Sequence, residues 1–366
     1  MSNSSEHAPC IRSLEPGDAV TGFFVIRRIE LKTRKQGKPF LHLELGDASG
    51  RITANIWENA SEQYEVFAPG ALVKVQGSAS TYNGKIQLSI QKIRLCTESD
   101  YVTPAMFIPS KPMDLKALEK NLMDLIYSVT DPWLKKLLSA VFEKETVKSS
   151  FPAMAGGKLW HHAYVGGLME HTVSVAAICE TMAERYSRVN RDLLITGALL
   201  HDIGKVFEYS FETGFIDFTD YGRLVGHISI GTHFVAAIIE EMDSFPIELK
   251  HQVMHLILSH QGKHEHGSPV LPATLEAMIL YYADEMDSKA NALTHIIERD
   301  QAPGRSWSQY INLLDRFIYL SPGKNHAGDS AMNKSHAGSE IEDSDTRNRP
   351  QEKNSTSDTT QTLFDL

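Results

Sequence analysis

The hydrophobic pattern of the chain changes once, near residue 100, and this change limits the fold more than any other feature of the 366 residues. Before it, short runs rich in Val, Ile, Leu and Phe partly alternate apolar with polar residues, which is typical of strands. After it, apolar residues recur at intervals of three and four, which is typical of amphipathic helices. The sequence therefore predicts a β domain followed by an all-α domain, as its length of about two ordinary domains allows.

The first domain is predicted over residues 15–97. It holds five strand-like runs: VTGFFVIRRIEL, PFLHLELGD, GRITANIW, ALVKVQGSAS and KIQLSIQKIRL. Asn83-Gly84, before the fifth run, is a strong hairpin signal. The one helix-compatible piece, ENASEQYEVF, falls between the third and fourth runs. This order favours the partly open five-stranded barrel of the OB-fold, and an unrelated five-stranded barrel is the alternative.

The remaining boundaries follow from composition. Residues 1–14 are predicted to be flexible, and residues 98–112 form a linker whose three prolines lie too close together for a helix interior. The helical domain spans 113–320. Residues 321–366 have almost no apolar side chains and are predicted to be disordered. The chain ends in an apolar cluster that is either a docking peptide for a protein partner or a chance hydrophobic end: Thr362, Leu363, Phe364 and Leu366.

Charge and composition exclude several classes of protein. The net charge of −10 argues against a nucleic-acid clamp over the whole molecule, but the first 100 residues are nearly neutral and could carry a local basic patch. No apolar run is long enough to span a membrane, and the start MSNSSEHAPC does not resemble a secretion signal. Three cysteines without CxxC spacing indicate neither disulfides nor a thiolate zinc site. We expect a cytoplasmic protein with no membrane partner.

Histidine and aspartate in the helical half predict a metal centre. His171 lies in GGLMEHTVSV, His201 and Asp202 form a pair in LLHDIGK, and Asp284 lies in YYADEMD. Each histidine alone is more simply a satisfied or half-exposed side chain. The pair, however, follows the apolar run LLITGALL at a buried helix end, where an unpaired carboxylate is costly and needs a cation or several donors. Imidazole and carboxylate ligands suit Mn, Fe, Co, Ni or Zn, and a helix bundle can bring them together in its core.

The order His, His-Asp, Asp on helices resembles the HD-domain metal-dependent phosphohydrolases. In that superfamily the matching positions hold a divalent metal, and Asp202 can bridge a second one. With the OB-like front, the motifs HHAYVGGLMEHT, LLHDIGK, GHISIG, LSHQG and ADEMDSK make residues 15–318 similar to the YhaM-type 3′→5′ exoribonucleases, also described as CMP-binding-factor-like proteins. The resemblance implies one or two divalent ions (Mn, Co, Fe or Mg) and hydrolysis of single-stranded RNA to nucleoside monophosphates.

The resemblance also implies that His227 and His260 bind the second metal. One departure affects this ligand set. The family commonly has two histidines before the glycine of the LSHQG segment, whereas this chain has Gln261 after His260. A role for the second histidine is either lost or passes to His264 or His266.

Three further residues are candidates for catalysis. Lys205 follows Asp202 by three positions, so it lies near the same face of a helical turn and is predicted to neutralise the scissile phosphate. A solvated lysine at a helix terminus is the alternative. His161 and His162 of the HHA motif are predicted to contact the phosphate or protonate the leaving oxygen, or instead to order the loop. The sequence has neither a GxSxG elbow nor a phosphate-binding GxxxxGK[ST] loop.

The front domain is predicted to bind the substrate. The run RRIELKTRKQGK is basic, and its later part falls at the first hairpin of the barrel. OB-folds bind single strands by combining such charge with base stacking on aromatic rings. A solvated charged face is the alternative, and Phe40 and Trp57 could instead be core residues. The predicted binding residues are Lys32, Arg34, Lys35, Lys38, Phe40 and Tyr82, with Trp57 as a further available ring.

The sequence leaves other functions open. Single-stranded DNA is an alternative substrate, since no residue is seen that recognises a 2′-hydroxyl. A second enzymatic interpretation is an HD phosphohydrolase acting on a free nucleotide, with the barrel regulating it. The non-enzymatic alternative is a nucleic-acid-binding regulator whose histidine cluster is structural. Assembly into a homo-oligomer also stays open.

Overall fold

The computed structural model describes residues 10–34, 37–158, 160–302, 304–312 and 314–320. The two domains reported below belong to one compact unit. The predicted disordered tail, its terminal apolar cluster and Lys35 lie outside the described residues.

The first domain is a closed five-stranded barrel. Its strands are β1 (Ala19–Thr33), β2 (Pro39–Asp47), β3 (Gly50–Ile56), β4 (Leu72–Tyr82) and β5 (Lys85–Leu95). Their order is β1-β2-β3-β5-β4, with β3 and β5 parallel and the other neighbours antiparallel. Helix α1 (Ala60–Val66) lies between β3 and β4, as predicted. Asn83 and Gly84 both have positive φ, as a two-residue hairpin turn requires. The predicted OB-type barrel is confirmed.

The barrel core begins earlier in the chain than residue 15. Ile11 and Leu14 are buried among the barrel's apolar side chains, and residues Ile11–Ser13 form a 3₁₀ turn. The backbone N–H of Ile11 donates to Asp47 at 2.8 Å, which holds this segment against the barrel. Residues 10–14 are therefore part of the packed domain rather than of a flexible terminus.

The second domain is helical, and the predicted fold class is confirmed. A two-stranded sheet of β6 (Tyr209–Ser210) and β7 (Asp217–Phe218), which the sequence did not predict, is added to it. None of the described helices is long and apolar enough to cross a membrane. The helices are α2 (Leu115–Ser128), α3 (Pro132–Glu143), α4 (Glu145–Ser150), α5 (Gly167–Arg185), α6 (Arg191–Leu200), α7 (Lys205–Glu208), α8 (Asp220–Val225), α9 (His227–Glu240), α10 (Ile247–Ser259) and α11 (Leu275–Asp300).

Helix α6 is the centre of this domain. It begins at the cap residue Asn190, whose side chain accepts a hydrogen bond from the Leu193 N–H. Its residues from Leu193 onward are all buried, and it packs against α3, α5, α10 and α11. A Cβ at Gly197 would lie 2.6 Å from a methyl of Leu256, so a larger residue there would force this side chain of α10 to shift. Because α6 ends at Leu200, the next two residues lie in the interior of the bundle.

The predicted linker packs between the two domains. Residues 98–112 contain two 3₁₀ turns, and Phe107 is buried between Val25 of the barrel and Phe215 of the helical domain. A register shift in β1 around Arg27 accompanies this contact. The Arg27 guanidinium lies 4.5 Å from the centre of the Phe215 ring, and its side chain is almost fully buried. The barrel and the helical domain therefore share an apolar junction with one cation–π contact.

Candidate metal centre

Among the described residues, three groups of side chains in the helical domain could hold a metal, and one of them, His162, His171 and Asp287, includes residues that the sequence does not propose as ligands. The other two groups consist of predicted ligands: the first is His171, His201 and Asp284, and the second is Asp202, His227 and His260. Within each group the ligand atoms lie within 4.8 Å of one another. The predicted ligands come from α5, the end of α6, the start of α9, the end of α10, and α11. The structure thus brings together all six residues that the sequence proposes as ligands.

The first group has the spacing of ligands around one ion. Nε2 of His171 lies 3.2 Å from Nε2 of His201 and 3.2 Å from Oδ1 of Asp284. Ligand atoms about 2.1 Å from one metal, at angles near 90–110°, are about 3.0–3.4 Å apart. The observed distances therefore suit an ion between these three side chains.

Asp202 lies between the two groups. Its Oδ2 is 3.5 Å from Nε2 of His171 and 3.4 Å from Nε2 of His201. Its Oδ1 is 3.4 Å from Nε2 of His227 and 3.6 Å from Nε2 of His260. Each oxygen of one carboxylate thus faces one pair of histidines, which is the arrangement that a bridging ligand needs.

The outward nitrogens of all four histidines are held by the protein. His201 and His260 follow the ends of α6 and α10, and each donates from Nδ1 to a carbonyl three residues earlier, at 2.8 Å. In the other two rings a carboxylate takes this role: Asp287 lies 2.6 Å from Nδ1 of His171, and Glu208 lies 3.1 Å from Nδ1 of His227. With the proton on Nδ1, each Nε2 presents its lone pair to the centre.

Two buried atoms in the centre indicate a cation. Oδ1 of Asp202 and Nε2 of His227 are shielded from water and have no hydrogen-bond partner among the described residues. A buried carboxylate oxygen left in this state is costly, and a bound metal satisfies it. Imidazole and carboxylate ligands without thiolate match Mn, Fe, Co or similar divalent ions. The residues present therefore fit one or two such ions.

The electrostatics of the centre keep its carboxylates ionised. Burial raises the pKa of Asp202, but Lys205, His201 and His171 outweigh it and hold the pKa well below the usual range. Burial also raises the pKa of Asp284, but the hydrogen bond from His171 outweighs burial, so the pKa of Asp284 is lowered. Burial lowers the pKa of His171, whereas its hydrogen bonds to carboxylates raise the pKa well above the ordinary value. A proton and a metal therefore compete for the same group of charges.

Lys205 is not a solvated lysine. Its side chain is buried, and its ammonium lies 2.6 Å from Oδ2 of Asp202 and 2.6 Å from the carbonyl oxygen of Gly156. The ammonium therefore balances the charge of Asp202 and fastens the loop that begins at Gly156 to the centre.

The two adjacent histidines of the HHA motif have different environments. His161 is half-buried, with an Nδ1 that has no partner among the described residues, and its ring centre lies 5.7 Å from that of His171. Burial, aided by the charge of Lys205, lowers the pKa of His161 to about 3. His162 is fully buried and hydrogen-bonded to Asp287 and Tyr164, so its side chain is committed to ordering the loop.

The histidines after Gln261 lie outside both ligand groups. Gln261 contacts Nε2 of His260 through its amide nitrogen at 3.1 Å. His264 contacts the carbonyl of Ser268, and the partly exposed His266 lies 4.0 Å from Glu285. Neither occupies the place of a second histidine in the centre.

The barrel presents a stacked group of rings and charge on its outer face. Phe40 and Trp57 stack with ring centres 5.0 Å apart, and the Arg34 guanidinium lies 4.3 Å from the Trp57 ring. Phe40 and Trp57 both lie outside the buried core of the barrel. Lys32 and Lys38 are exposed nearby in sequence, and Tyr82, at the β4–β5 turn, is 65% exposed.

A polar row continues this face across the sheet. The side chain of Asn55 on β3 is hydrogen-bonded to His42 of β2 at 2.9 Å and to Gln87 of β5 at 3.2 Å. The indole N–H of Trp57 donates to Ser89 of β5 at 3.2 Å. Rings and hydrogen-bonding groups of β2, β3 and β5 therefore lie beside the cations of the β1–β2 hairpin.

Sequence reasoning missed the residues that support the ligands. Asp287 and Asn291 follow Asp284 at intervals of three and four, so this spacing placed them on one face of α11. Glu208 had no such signal, because its contact with His227 depends on how α7 packs against α9.

Known proteins resemble both halves of the chain. Two protein-family models match, the HD domain over residues 168–289 and the OB-fold nucleic acid binding domain over residues 25–95. The 3′-5′ exoribonuclease YhaM of Geobacillus sp. (strain WCH70) is 33% identical over 306 residues, covering 83% of this chain and 93% of the relative. The 3′-5′ exoribonuclease YhaM of Bacillus subtilis (strain 168) is 33% identical over 308 residues, covering 83% of this chain and 96% of the relative. The chain belongs to the YhaM family.

Membership in the YhaM family confirms the resemblance found in the motifs. The protein is a hydrolytic nuclease, as predicted, with an HD domain that implies a divalent metal and a front domain of nucleic-acid-binding type. Among solved structures, the second OB-fold domain of replication protein A from Methanococcus maripaludis is 21% identical. The match covers 24% of this chain and 92% of that one with a TM-score of 0.20, a likeness too weak to support an argument about function.

Proposed function

We propose that the protein is a metal-dependent 3′-5′ exoribonuclease of the cytoplasm. The barrel holds single-stranded RNA, and the helical domain hydrolyses its terminal phosphodiester bond and releases nucleoside monophosphates. The observation that carries this proposal is the buried Asp202 carboxylate, whose two oxygens face two separate pairs of histidines. The names of the YhaM relatives supply the polarity and the RNA preference.

Six side chains would hold the metal. His171, His201 and Asp284 would bind one ion, His227 and His260 a second, and Asp202 would bridge them. Divalent ions bound there supply Lewis-acid chemistry, because they acidify water and neutralise phosphate oxygens. Mn, Co, Fe and Mg are the candidates.

The surrounding residues have separate tasks. Lys205 holds Asp202 in place with a salt bridge and balances its charge. His161 is neutral at physiological pH because burial lowers its pKa to about 3, so its N–H can hydrogen-bond a phosphate oxygen but is a poor proton source. His162 keeps the loop in place through its bond to Asp287. We therefore assign phosphate contact to His161 and loop ordering to His162.

The outer face of the barrel binds the single-stranded RNA. Trp57 and Phe40 offer ring surface for bases, and Arg34 adds a cation beside the ring. Lys32, Lys38 and the exposed Tyr82 extend this surface, and Lys35 belongs to the proposed set although it lies outside the described residues. Backbone charge and base stacking do not distinguish sugars, so we propose that single-stranded DNA is also bound and cut.

The test uses one oligonucleotide with its label at either end. With Mn²⁺, the 5′-labelled RNA should shorten in steps, whereas the 3′-labelled RNA should release labelled mononucleotide from the start. The same sequence as single-stranded DNA measures sugar preference. Hydrolysis of free nucleotides with intact oligonucleotides would instead indicate a nucleotide phosphohydrolase, and binding without shortening would indicate a regulator.

A further inference from the structure

Asp287 holds two histidines with one carboxylate oxygen. Its Oδ2 lies 2.6 Å from Nδ1 of His171 and 2.8 Å from Nε2 of His162. The Asp287 side chain is 13% exposed, and both histidines are buried. A carboxylate that is shielded from water and accepts two N–H bonds has a fixed position, so it fixes the orientation of both rings.

His162 connects this carboxylate to a second network. Its Nδ1 lies 3.0 Å from the hydroxyl of Tyr164, which donates to Glu170. Asn291 accepts from the His162 backbone N–H at 3.0 Å and donates to the Tyr164 hydroxyl at 3.1 Å. His162 has a φ of 46°, a left-handed conformation that residues other than glycine rarely adopt. Several hydrogen bonds are therefore needed to keep the loop in this shape.

One face of α11 contacts both the metal centre and the loop. Asp284, Asp287 and Asn291 succeed one another at intervals of three and four, so they lie along the same side of the helix. Asp284 belongs to the first ligand group, and Asp287 hydrogen-bonds Nδ1 of the ligand His171. Asn291 accepts from the loop's backbone at His162. A single rigid helix thus sets the distance between the metal centre and the loop that carries His161.

We propose that Asp287 is a positioning residue that aligns His171 for metal binding and anchors the loop of His161 and His162 to the metal centre. The inference rests on the proposed metal-dependent function. With its Nδ1 proton donated to Asp287, the His171 ring turns its Nε2 lone pair toward His201 and Asp284. Loss of a carboxylate in this supporting position typically weakens metal binding by about 10- to 100-fold.

The test measures metal binding without nucleic acid. Metal-free wild type and Asp287→Asn are titrated with Mn²⁺, and free Mn²⁺ is followed by electron paramagnetic resonance. The asparagine is nearly isosteric, but its amide oxygen is uncharged and a weaker acceptor than a carboxylate oxygen, so the affinity for Mn²⁺ should fall by about 10- to 100-fold. Glu285→Gln is the matched control, because it removes the same charge from the same helix and touches no ligand, and it should bind as wild type does.

A second measurement reports on the ligand itself. The visible spectrum of the Co²⁺-loaded protein should change in Asp287→Asn, since the His171 ring is held by a weaker, uncharged acceptor, and should be unchanged in Glu285→Gln. Asn291→Ala separates the two tasks: it should keep Mn²⁺ affinity within about threefold and lower turnover, because it frees the loop but not His171.

The outcomes distinguish this inference from the proposed function. If wild type takes up no Mn²⁺ at all, the proposed function fails. If wild type binds Mn²⁺ and Asp287→Asn binds it equally well, only the positioning role is overturned. Should Asp287→Asn not fold, Asp287→Glu carries the test: its extra methylene shifts the carboxylate out of its fitted position between the two rings, so weaker binding is expected, and wild-type affinity contradicts the inference.

Discussion

The ammonium of Lys205 lies 2.6 Å from Oδ2 of Asp202, within the buried cluster of histidines. Both side chains are almost completely shielded from water. In such a pair each charge depends on the other, because removing one partner leaves an uncompensated charge in the interior. Loss of either side chain alone is therefore expected to destabilise the metal-free protein.

Replacing this lysine tests that reasoning. Lys205→Met should lower the free energy of unfolding of the metal-free protein by about 3–5 kcal/mol, since Asp202 keeps its charge and loses its countercharge. Urea denaturation measures the change, and saturating Mn²⁺ should restore part of the loss. Lys250→Met is the control, because its pair with the exposed Glu240 is worth at most about 1 kcal/mol. Equal effects of the two substitutions would contradict the assignment.

The aromatic group on the barrel predicts a loss of strand affinity. Trp57→Ala removes the ring that Phe40 and Arg34 contact, and base stacking on such a ring is worth about 1–3 kcal/mol. Binding of a short single-stranded RNA by metal-free protein should weaken by about 5- to 150-fold in fluorescence anisotropy. Trp307→Ala, an exposed tryptophan outside the barrel, should bind normally. Unchanged binding by Trp57→Ala would place the strand elsewhere.

The basic hairpin predicts a change in salt dependence. The combined substitution of Lys32, Arg34 and Lys38 by alanine should reduce the slope of log affinity against log salt by about 2, since each phosphate contact on a single strand contributes about 0.7. Three exposed lysines of the helical domain provide the control when changed to alanine: Lys116, Lys120 and Lys136. A slope that the hairpin variant leaves unaltered would exclude the hairpin from the contact surface.

Acid should weaken the loop network at Glu170. The hydrogen bond from His162, with those from Tyr164 and Lys111, outweighs burial and lowers the pKa of Glu170 to about 2. An unfolded glutamate has a pKa of about 4.3, so the stabilisation is present above that pH and is lost as the pH falls toward 2. In Glu170→Gln the urea midpoint should therefore fall less between pH 5 and pH 2.5 than in wild type. The exposed Glu119→Gln should behave as wild type, and an equal fall in Glu170→Gln would contradict the prediction.

The sequence predicted those parts of the molecule that depend on local pattern. Strand alternation and Asn83-Gly84 were sufficient for the barrel, because a two-residue turn fixes the pairing of its strands. The His201-Asp202 pair indicated the metal centre because it follows an apolar run, which is buried from Leu193 to Leu200 and where charge needs a partner.

Other features depend on packing between distant segments, which no local pattern contains. Ile11 and Leu14 lie in a polar stretch without periodicity, yet they pack on the barrel. Phe107 and Phe215 meet at the domain junction across more than a hundred residues. Glu208 supports His227 only because α7 and α9 are neighbours in space.

The most direct measurement of the central claim is digestion of a 5′-labelled RNA by wild type and Asp202→Ala, after chelation and after Mn²⁺ is restored. We predict stepwise shortening from the 3′ end by Mn²⁺-loaded wild type alone. Asp202→Ala should bind the RNA with wild-type affinity but cut it no faster than chelated wild type. Shortening that survives both chelation and the loss of Asp202 would contradict hydrolysis at this centre.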